Sequence, residues 1–303
     1  MSVPARSSQA RTDIDLIGCA EQLDVVPNSQ PLGAQIRGLD LARPLSAESI
    51  KGIRDAWSEH LVLLIRGQHL SIGQHLAFAA QLGEILQGNE TSRTALSRQH
   101  KGILEVSTLD ANGQQRERGL GSAESFWHTD MSYKAVPPAA SFLFSREVPD
   151  SGGNTCFANM YRAFETLSPQ LADAIEGKRA VHDESRNSAG RLRPGYTDER
   201  DPRHTPGPQH PLVRTHPVTG RKALYLGRRP YSYVTGLSLD DSEALLDELW
   251  EHAATADFEW CHEWAVGDMI IWDNRCTMHR RDEFDPAVHR VMHRTQIVGT
   301  VPS

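Results

Sequence analysis

The chain has 303 residues, 39% of them hydrophobic and 23% charged, and 32 Lys+Arg against 39 Asp+Glu give a formal net charge of −7. This is an ordinary globular composition and excludes disorder along the whole length. The acidic balance argues against nucleic acid as a partner, because affinity for phosphate backbones rests on clustered Lys and Arg, and no apolar run approaches the ~18 residues of a membrane span.

Residues 1–20 read as a flexible tail without the apolar stretch of a secretory signal, and 21–303 as a single domain. Two short strands are expected at 23–26 and 34–41, separated by Pro27-Asn28-Ser29. Ser46 is placed to cap a helix in which Ile50, Ile53, Trp57 and His60 recur at helical spacing. The wholly apolar run 61–65 predicts a buried strand, and Ser71 caps a second helix to Leu82. The stretch 88–101 has no clear period. From residue 103 onward short, turn-bounded strands dominate, at 103–108, 139–146, 155–159, 179–182, 212–216, 222–226, 258–263, 268–272 and 290–298. Helices interrupt them at 160–167, running on past Ser168-Pro169 to 176, and at 240–254. Many short strands with few long helices imply a sandwich or barrel. The segment 184–210 holds five arginines, four prolines and three glycines without an apolar period, which suits a lid or binding loop. Cys19, Cys156, Cys261 and Cys276 include no C-x-x-C pair, so neither a disulfide scaffold nor a zinc ribbon is expected, and a reducing cytoplasm fits.

Histidine supplies the sharpest chemical signal. His128-Thr129-Asp130 and His182-Asp183-Glu184 each place a carboxylate two positions after an imidazole. On an extended strand, positions i and i+2 point the same way, so either pair could offer both groups to one metal ion, although surface histidines near acids are common. His128 lies among Phe126, Trp127 and Tyr133, aromatics able to wall off a polar pair. A third ligand is available downstream, where an apolar strand ends in Trp272-Asp273-Asn274-Arg275-Cys276-Thr277-Met278-His279, a turn-rich stretch that carries His279 out of it. Period two puts Arg290, Met292, Arg294 and Gln296 on one face of the last strand. Two arginines on so apolar a strand need anionic partners, from acids of the protein or from a ligand.

Together, the Trp-preceded H-T-D, the W-D-N-R-x-x-x-H segment and the R-x-x-x-R pair at +11 and +15 resemble the taurine dioxygenase / 2,4-dichlorophenoxyacetate dioxygenase family. The likeness extends through residues 32–41, Arg66-Gly67-Gln68, Ser151-Gly152-Gly153-Asn154-Thr155 and residues 216–225, covering most of the chain from about residue 30. It implies a double-stranded β-helix (jelly-roll) core with flanking helices, and an enzyme using Fe(II), 2-oxoglutarate and O2. Carried over by position, His128, Asp130 and His279 would bind iron. Arg290 and Thr155 would hold 2-oxoglutarate, with the planar guanidinium gripping its distal carboxylate. Arg294 would hold the substrate's anionic group. The implied reaction hydroxylates a small organic anion such as a sulfonate, alkyl sulfate or aryloxyalkanoate and releases succinate and CO2. The resemblance also suggests a dimer or tetramer, and assigns His182 a structural role.

The sequence departs from the taurine enzymes at three places. Their substrate-contacting histidine is replaced near Gly88-Asn89, the asparagine four residues before the first ligand is Glu124, and no phenylalanine follows Tyr225. Arg228 and Arg229 either add positive charge over the pocket or form a solvated basic turn; Tyr231 and Tyr233 either stack an aromatic substrate or cover the rim. Desaturation in a biosynthetic pathway and a non-catalytic anion or metal sensor are the competing readings.

Overall fold

The computed structural model describes residues 23–87, 95–107, 125–285 and 287–303. The tail expected at 1–20 and the departures at Gly88-Asn89 and Glu124 lie outside these residues. In chain order the first elements are β1 (Asp24–Pro27), β2 (Ala34–Arg37), α1 (Ala47–His60), β3 (Val62–Ile65), α2 (Ile72–Leu82), α3 (Ala95–Gln99) and β4 (Leu104–Ser107). They are followed by β5 (Ala140–Glu147), β6 (Thr155–Asn159), α4 (Met160–Glu165), α5 (Pro169–Ile175), β7 (Arg179–Val181), β8 (Gln209–Pro211) and β9 (Val213–Thr215). The chain continues through β10 (Lys222–Leu224), β11 (Tyr233–Val234), α6 (Leu239–Ala253), β12 (Glu259–His262), β13 (Met269–Asp273), β14 (Thr277–Arg281) and β15 (Val291–Ile297). The protein is mainly β with flanking helices. No helix among the described residues is long and apolar enough to cross a membrane.

A seven-stranded sheet runs in the order β1-β2-β3-β13-β5-β15-β4, and a three-stranded sheet in the order β12-β6-β14. Within the larger sheet every pairing is antiparallel except β2 with β3. Alternation along the strands divides the apolar side chains between two clusters. Phe142, Phe144 and Ile271 pack outward with Ile53 and Trp57 of α1 and Phe78 and Leu82 of α2. Leu143, Ile270, Trp272 and Met292 point the other way, joining Phe157 and Met278 of the smaller sheet. Strands β3 and β13 are buried at every position, because both of their faces are covered, which is why their sequences are unbroken apolar runs.

The two predicted serine caps are formed. Ser46 accepts from Ser49 N, and Ser71 with Gln74 makes a reciprocal capping box. The helix expected to run from 160 to 176 is instead two helices: α4 ends at Thr166, and Ser168 with Pro169 opens α5, the proline lacking an N–H to continue a helical ladder. The segment 184–210 is largely irregular and tied down at several points. Arg186 donates to Asp198 Oδ1 at 2.6 Å and to Glu199 O at 2.7 Å, Glu184 pairs with Lys134, and β8 at its end joins β7.

The cysteine expectation requires correction. Cys156 and Cys261 form a disulfide, because the register of β6 with β12 sets these residues directly opposite each other. Their separation of 105 residues hides the pairing from any spacing rule.

Candidate active site

Three side chains from two distant stretches meet where the smaller sheet faces the larger one. The Nε2 atoms of His128 and His279 each lie 3.9 Å from Asp130 Oδ1, and the ligating atoms of the trio all fall within 4.8 Å of one another. The H-T-D segment is not the expected strand: His128 makes an isolated bridge to His279 and Asp130 lies in the turn that follows, yet both side chains reach the cluster. His279 was expected in a turn-rich stretch, but it sits within β14, paired opposite Phe157. The backbone N–H of His128 donates to His279 O at 3.0 Å, and the His279 N–H donates back to His128 O at 2.9 Å. All three residues are at most 5% exposed.

Neighbouring groups set the charge states. His128 Nδ1 lies 2.8 Å from the Phe126 carbonyl, to which it donates, so the lone pair of Nε2 faces Asp130. Burial, with the charges of His279 and Arg228, holds the His128 imidazole well below its usual proton affinity, and burial takes His279 down to about 4. Asp130 is pulled in two directions. Burial favours its neutral form, but the Arg294 guanidinium, with the Ser141 hydrogen bond, prevails and keeps it ionised. Its Oδ2 accepts from Ser141 Oγ at 2.7 Å and Gln296 Nε2 at 3.0 Å, and its Oδ1 accepts from Arg294 Nη1 at 2.9 Å. Two neutral imidazoles and one carboxylate are the donor set that suits ferrous iron with further positions open.

The other metal-sized clusters among the described residues do not fit. Asp273, beside His216 and Cys276, is already clasped by Arg275 through two hydrogen bonds of 2.8 and 2.7 Å. Cys156 and Cys261, beside Glu259, are joined to each other.

A small cavity adjoins His279, lined among others by Thr155, Trp272, Arg290 and Arg294. Thr155 Oγ1 accepts from Trp264 Nε1 at 3.0 Å, which leaves its hydroxyl hydrogen to donate elsewhere. Both arginines singled out by period two reach one cavity, although Arg290 precedes β15 and the register shifts between Val291 and Met292, so strand alternation alone does not place them together.

Other singled-out residues fall away from the cluster. Phe126 is 56% exposed and walls off nothing. His182 is buried against Tyr225 at 5.5 Å, in keeping with a structural role. Tyr231 lies under Arg186 at 3.5 Å, and the Tyr233 hydroxyl donates to Leu237 O, so both are taken up by internal contacts. Arg229 is paired with Glu243 and Asp247 on α6. Sequence reasoning missed Ser141 and Trp264, which carry no local signal; Gln296 was detectable as the next residue on the face that holds Arg294.

Comparison with known proteins agrees with this geometry. The model of the family described as "Taurine catabolism dioxygenase TauD, TfdA family" matches residues 24–296. The alpha-ketoglutarate-dependent 2,4-dichlorophenoxyacetate dioxygenase of Cupriavidus pinatubonensis is 35% identical over 282 residues, covering 90% of this chain and 97% of that protein. The (S)-phenoxypropionate/alpha-ketoglutarate-dioxygenase of Delftia acidovorans is 30% identical, over 91% and 95% of the two chains. Among solved structures, AAD-2 in complex with Mn(II) and N-oxalylglycine superposes with a TM-score of 0.79 at 30% identity, covering 93% of this chain and 98% of that one. The chain therefore belongs to the TauD/TfdA family and is an Fe(II)- and 2-oxoglutarate-dependent dioxygenase.

Proposed function

We propose that this enzyme hydroxylates a small organic anion of the aryloxyalkanoate, alkyl sulfate or sulfonate type, converting 2-oxoglutarate to succinate and CO2. The observation that carries the reading is the buried His128–Asp130–His279 cluster, whose His279 lines a small cavity together with Arg290 and Arg294. Iron held by these three residues would supply the redox chemistry that couples 2-oxoglutarate and dioxygen to oxidation of the substrate. The protein supplies the placement. His128 and His279 present neutral Nε2 lone pairs, and Asp130 presents a charged oxygen steadied by Ser141, Gln296 and Arg294. Arg290 and Thr155 hold the distal carboxylate of 2-oxoglutarate, the guanidinium through a charge-assisted fork and the hydroxyl through one further hydrogen bond. Arg294, on the same wall, is assigned to the substrate's anionic group. Trp272 and Phe157 keep the His279 side apolar, which limits water near the reacting atoms.

In this reading residues 21–303 form one domain. The seven-stranded sheet and the β12-β6-β14 sheet are the two halves of a double-stranded β-helix, an arrangement supported by the apolar cluster they share. The segment 184–210 is its lid. The test is succinate formation with Fe(II), 2-oxoglutarate and a panel of phenoxyacetates, alkyl sulfates and alkyl sulfonates. At least one anion is expected to stimulate succinate release, and His128→Ala and Asp130→Ala to abolish it. Full activity in either variant would refute the ligand assignment.

A further inference from the structure

Arg228 and Arg229 are adjacent, yet they meet opposite fates. Arg229 turns outward and is neutralised by Glu243 at 2.7 Å and Asp247 at 2.6 Å. Arg228 turns inward. The residue is half-buried: its Nε and Nη1 atoms are shielded from solvent and have no hydrogen-bond partner among the described residues, so two guanidinium nitrogens are left with donors to offer. The turn is built for this: Gly227 takes φ +70°, and its carbonyl accepts from Thr129 N at 2.8 Å, locking the loop to the H-T-D segment. The Arg228 charge is felt by His128, His279, Asp130 and Arg294, so it stands within electrostatic reach of the whole candidate centre.

A second cation faces the same spot. The Arg193 guanidinium lies 3.8 Å from the centroid of the Tyr133 ring, and that of Arg228 lies 4.7 Å from it. Arg193 comes from the 184–210 segment, so the segment brings positive charge toward a site that already holds Arg228. No carboxylate among the described residues makes an ion pair with either. Two like charges converging on one aromatic ring, one of them partly shielded from water, are stabilised when an anion lies beside them.

We propose that Arg228, completed by Arg193 from the overlying segment, is a second grip on the substrate's anionic headgroup beside Arg294, with Tyr133 as the ring that holds the two guanidinium groups in place. This rests on the reading of the enzyme as a small-anion hydroxylase and adds to the role assigned to Arg294, one of whose nitrogens is engaged with Asp130. The headgroup is a carboxylate or a sulfate ester, since either offers the oxygens that a guanidinium binds through paired hydrogen bonds.

The test uses the enzyme loaded with Fe(II) and 2-oxoglutarate under anaerobic conditions, with 2,4-dichlorophenoxyacetate, its neutral amide and hexyl sulfate as probes in calorimetric titration, and aerobic KM values in parallel. Arg228→Gln is expected to weaken binding of whichever anion the wild type accepts by about 10- to 100-fold, the range for losing a charge-assisted hydrogen bond. The neutral amide and 2-oxoglutarate should change less than threefold. Arg228→Lys should recover part of the loss, Arg193→Gln should show a smaller one, and Arg229→Gln none. Should Arg228→Gln not fold, Arg228→Lys and Arg193→Gln carry the test. Anion binding within twofold of wild type in every folded Arg228 and Arg193 variant overturns the proposal and leaves the hydroxylase reading standing. A wild-type enzyme that neither binds nor turns over either anion overturns both.

Discussion

Replacing Ser141 with alanine isolates what the buried polar network contributes to the candidate iron centre. The Ser141 hydroxyl is fully buried; it donates to Asp130 Oδ2 at 2.7 Å and accepts from Asn274 Nδ2 and Gln296 Nε2, each at 2.9 Å. Asn274 in turn accepts from Trp272 Nε1 at 2.8 Å, so the serine is the central link of a chain from indole to carboxylate. Alanine leaves the Asn274 amide hydrogen without its acceptor, at a cost of about 1–3 kcal/mol, and deletes a bond to a charged group of similar size. The net loss of folding stability should be about 2–4 kcal/mol at neutral pH. Asp130 then keeps only Gln296 on Oδ2, and metal affinity should fall by about 10- to 100-fold, as for other residues that orient a ligand. Ser145→Ala is the control: this serine is equally buried and donates to Ala265 O at 2.6 Å, but bonds no part of the cluster. Urea unfolding reads stability. Anaerobic titration with Fe(II) or Mn(II), followed through the emission of Trp272, whose ring lies 4.7 Å from His279, reads metal binding. Both variants should lose stability, and only Ser141→Ala should lose metal affinity. Twofold or smaller change in metal affinity for Ser141→Ala would show that Asp130 is held in place without this network.

Arg290→Gln should raise the KM for 2-oxoglutarate about 10- to 100-fold in a succinate assay while the KM for the anionic substrate moves far less; equal shifts in both would deny the assignment. Gly227→Ala should lower both Tm and iron affinity. A Cβ there would come within 2.1 Å of His182 Nδ1 and 2.7 Å of Ser132 Oγ at φ +70°, and relief of that clash pulls on the Thr129 N–H that bonds Gly227 O. Unchanged metal binding would separate the loop from the centre. Burial, with the His293 charge, lowers His75 to about 3, against 6.5 for an unburied histidine. Above pH 6.5 neither state is charged. Between 6.5 and about 3 the unfolded chain takes up a proton that the folded chain refuses, so stability is lost as pH falls, by about 1.4 kcal/mol per unit. His75→Leu removes this term. From pH 7 to 5 its unfolding free energy should fall by about 2 kcal/mol less than that of wild type, and parallel curves would refute the burial argument.

Much of this was readable in the residues, for physical reasons. Helices α1 and α2 announce themselves because Ser46 and Ser71 cap them and their apolar residues keep helical spacing. Strands β3 and β13 do so because burial on both faces leaves no polar interruption. Strand β14 was hidden. Thr277-Met278-His279-Arg280-Arg281 carries two exposed-type cations, yet Arg280 is neutralised by Glu259 at 2.7 Å and Arg281 is buried over Phe284. Strands β8 and β11, at three and two residues, are too short to show a period. The candidate ligands were legible because iron chemistry restricts the residue types and the motifs of the family resemblance mark their positions. The groups that steady them were not, since nothing local marks Ser141 as the neighbour of a carboxylate 11 residues away. Arg228 and Arg229 show the limit most plainly: adjacent and identical in type, they are sorted into interior and surface by one left-handed glycine and two acids on a later helix.

The paired backbone bonds between His128 and His279 join stretches 151 residues apart, and they set an order of events during synthesis. A nascent chain that has emerged only as far as the H-T-D segment holds two of three donors and lacks the partner strand that orients them, so it cannot retain iron tightly. On the proposed ligand set, metal capture waits until β14 has been made and docked. Loading thereby becomes a late checkpoint on the finished sandwich, and a truncated or misregistered product is left without the reactive centre that could damage it.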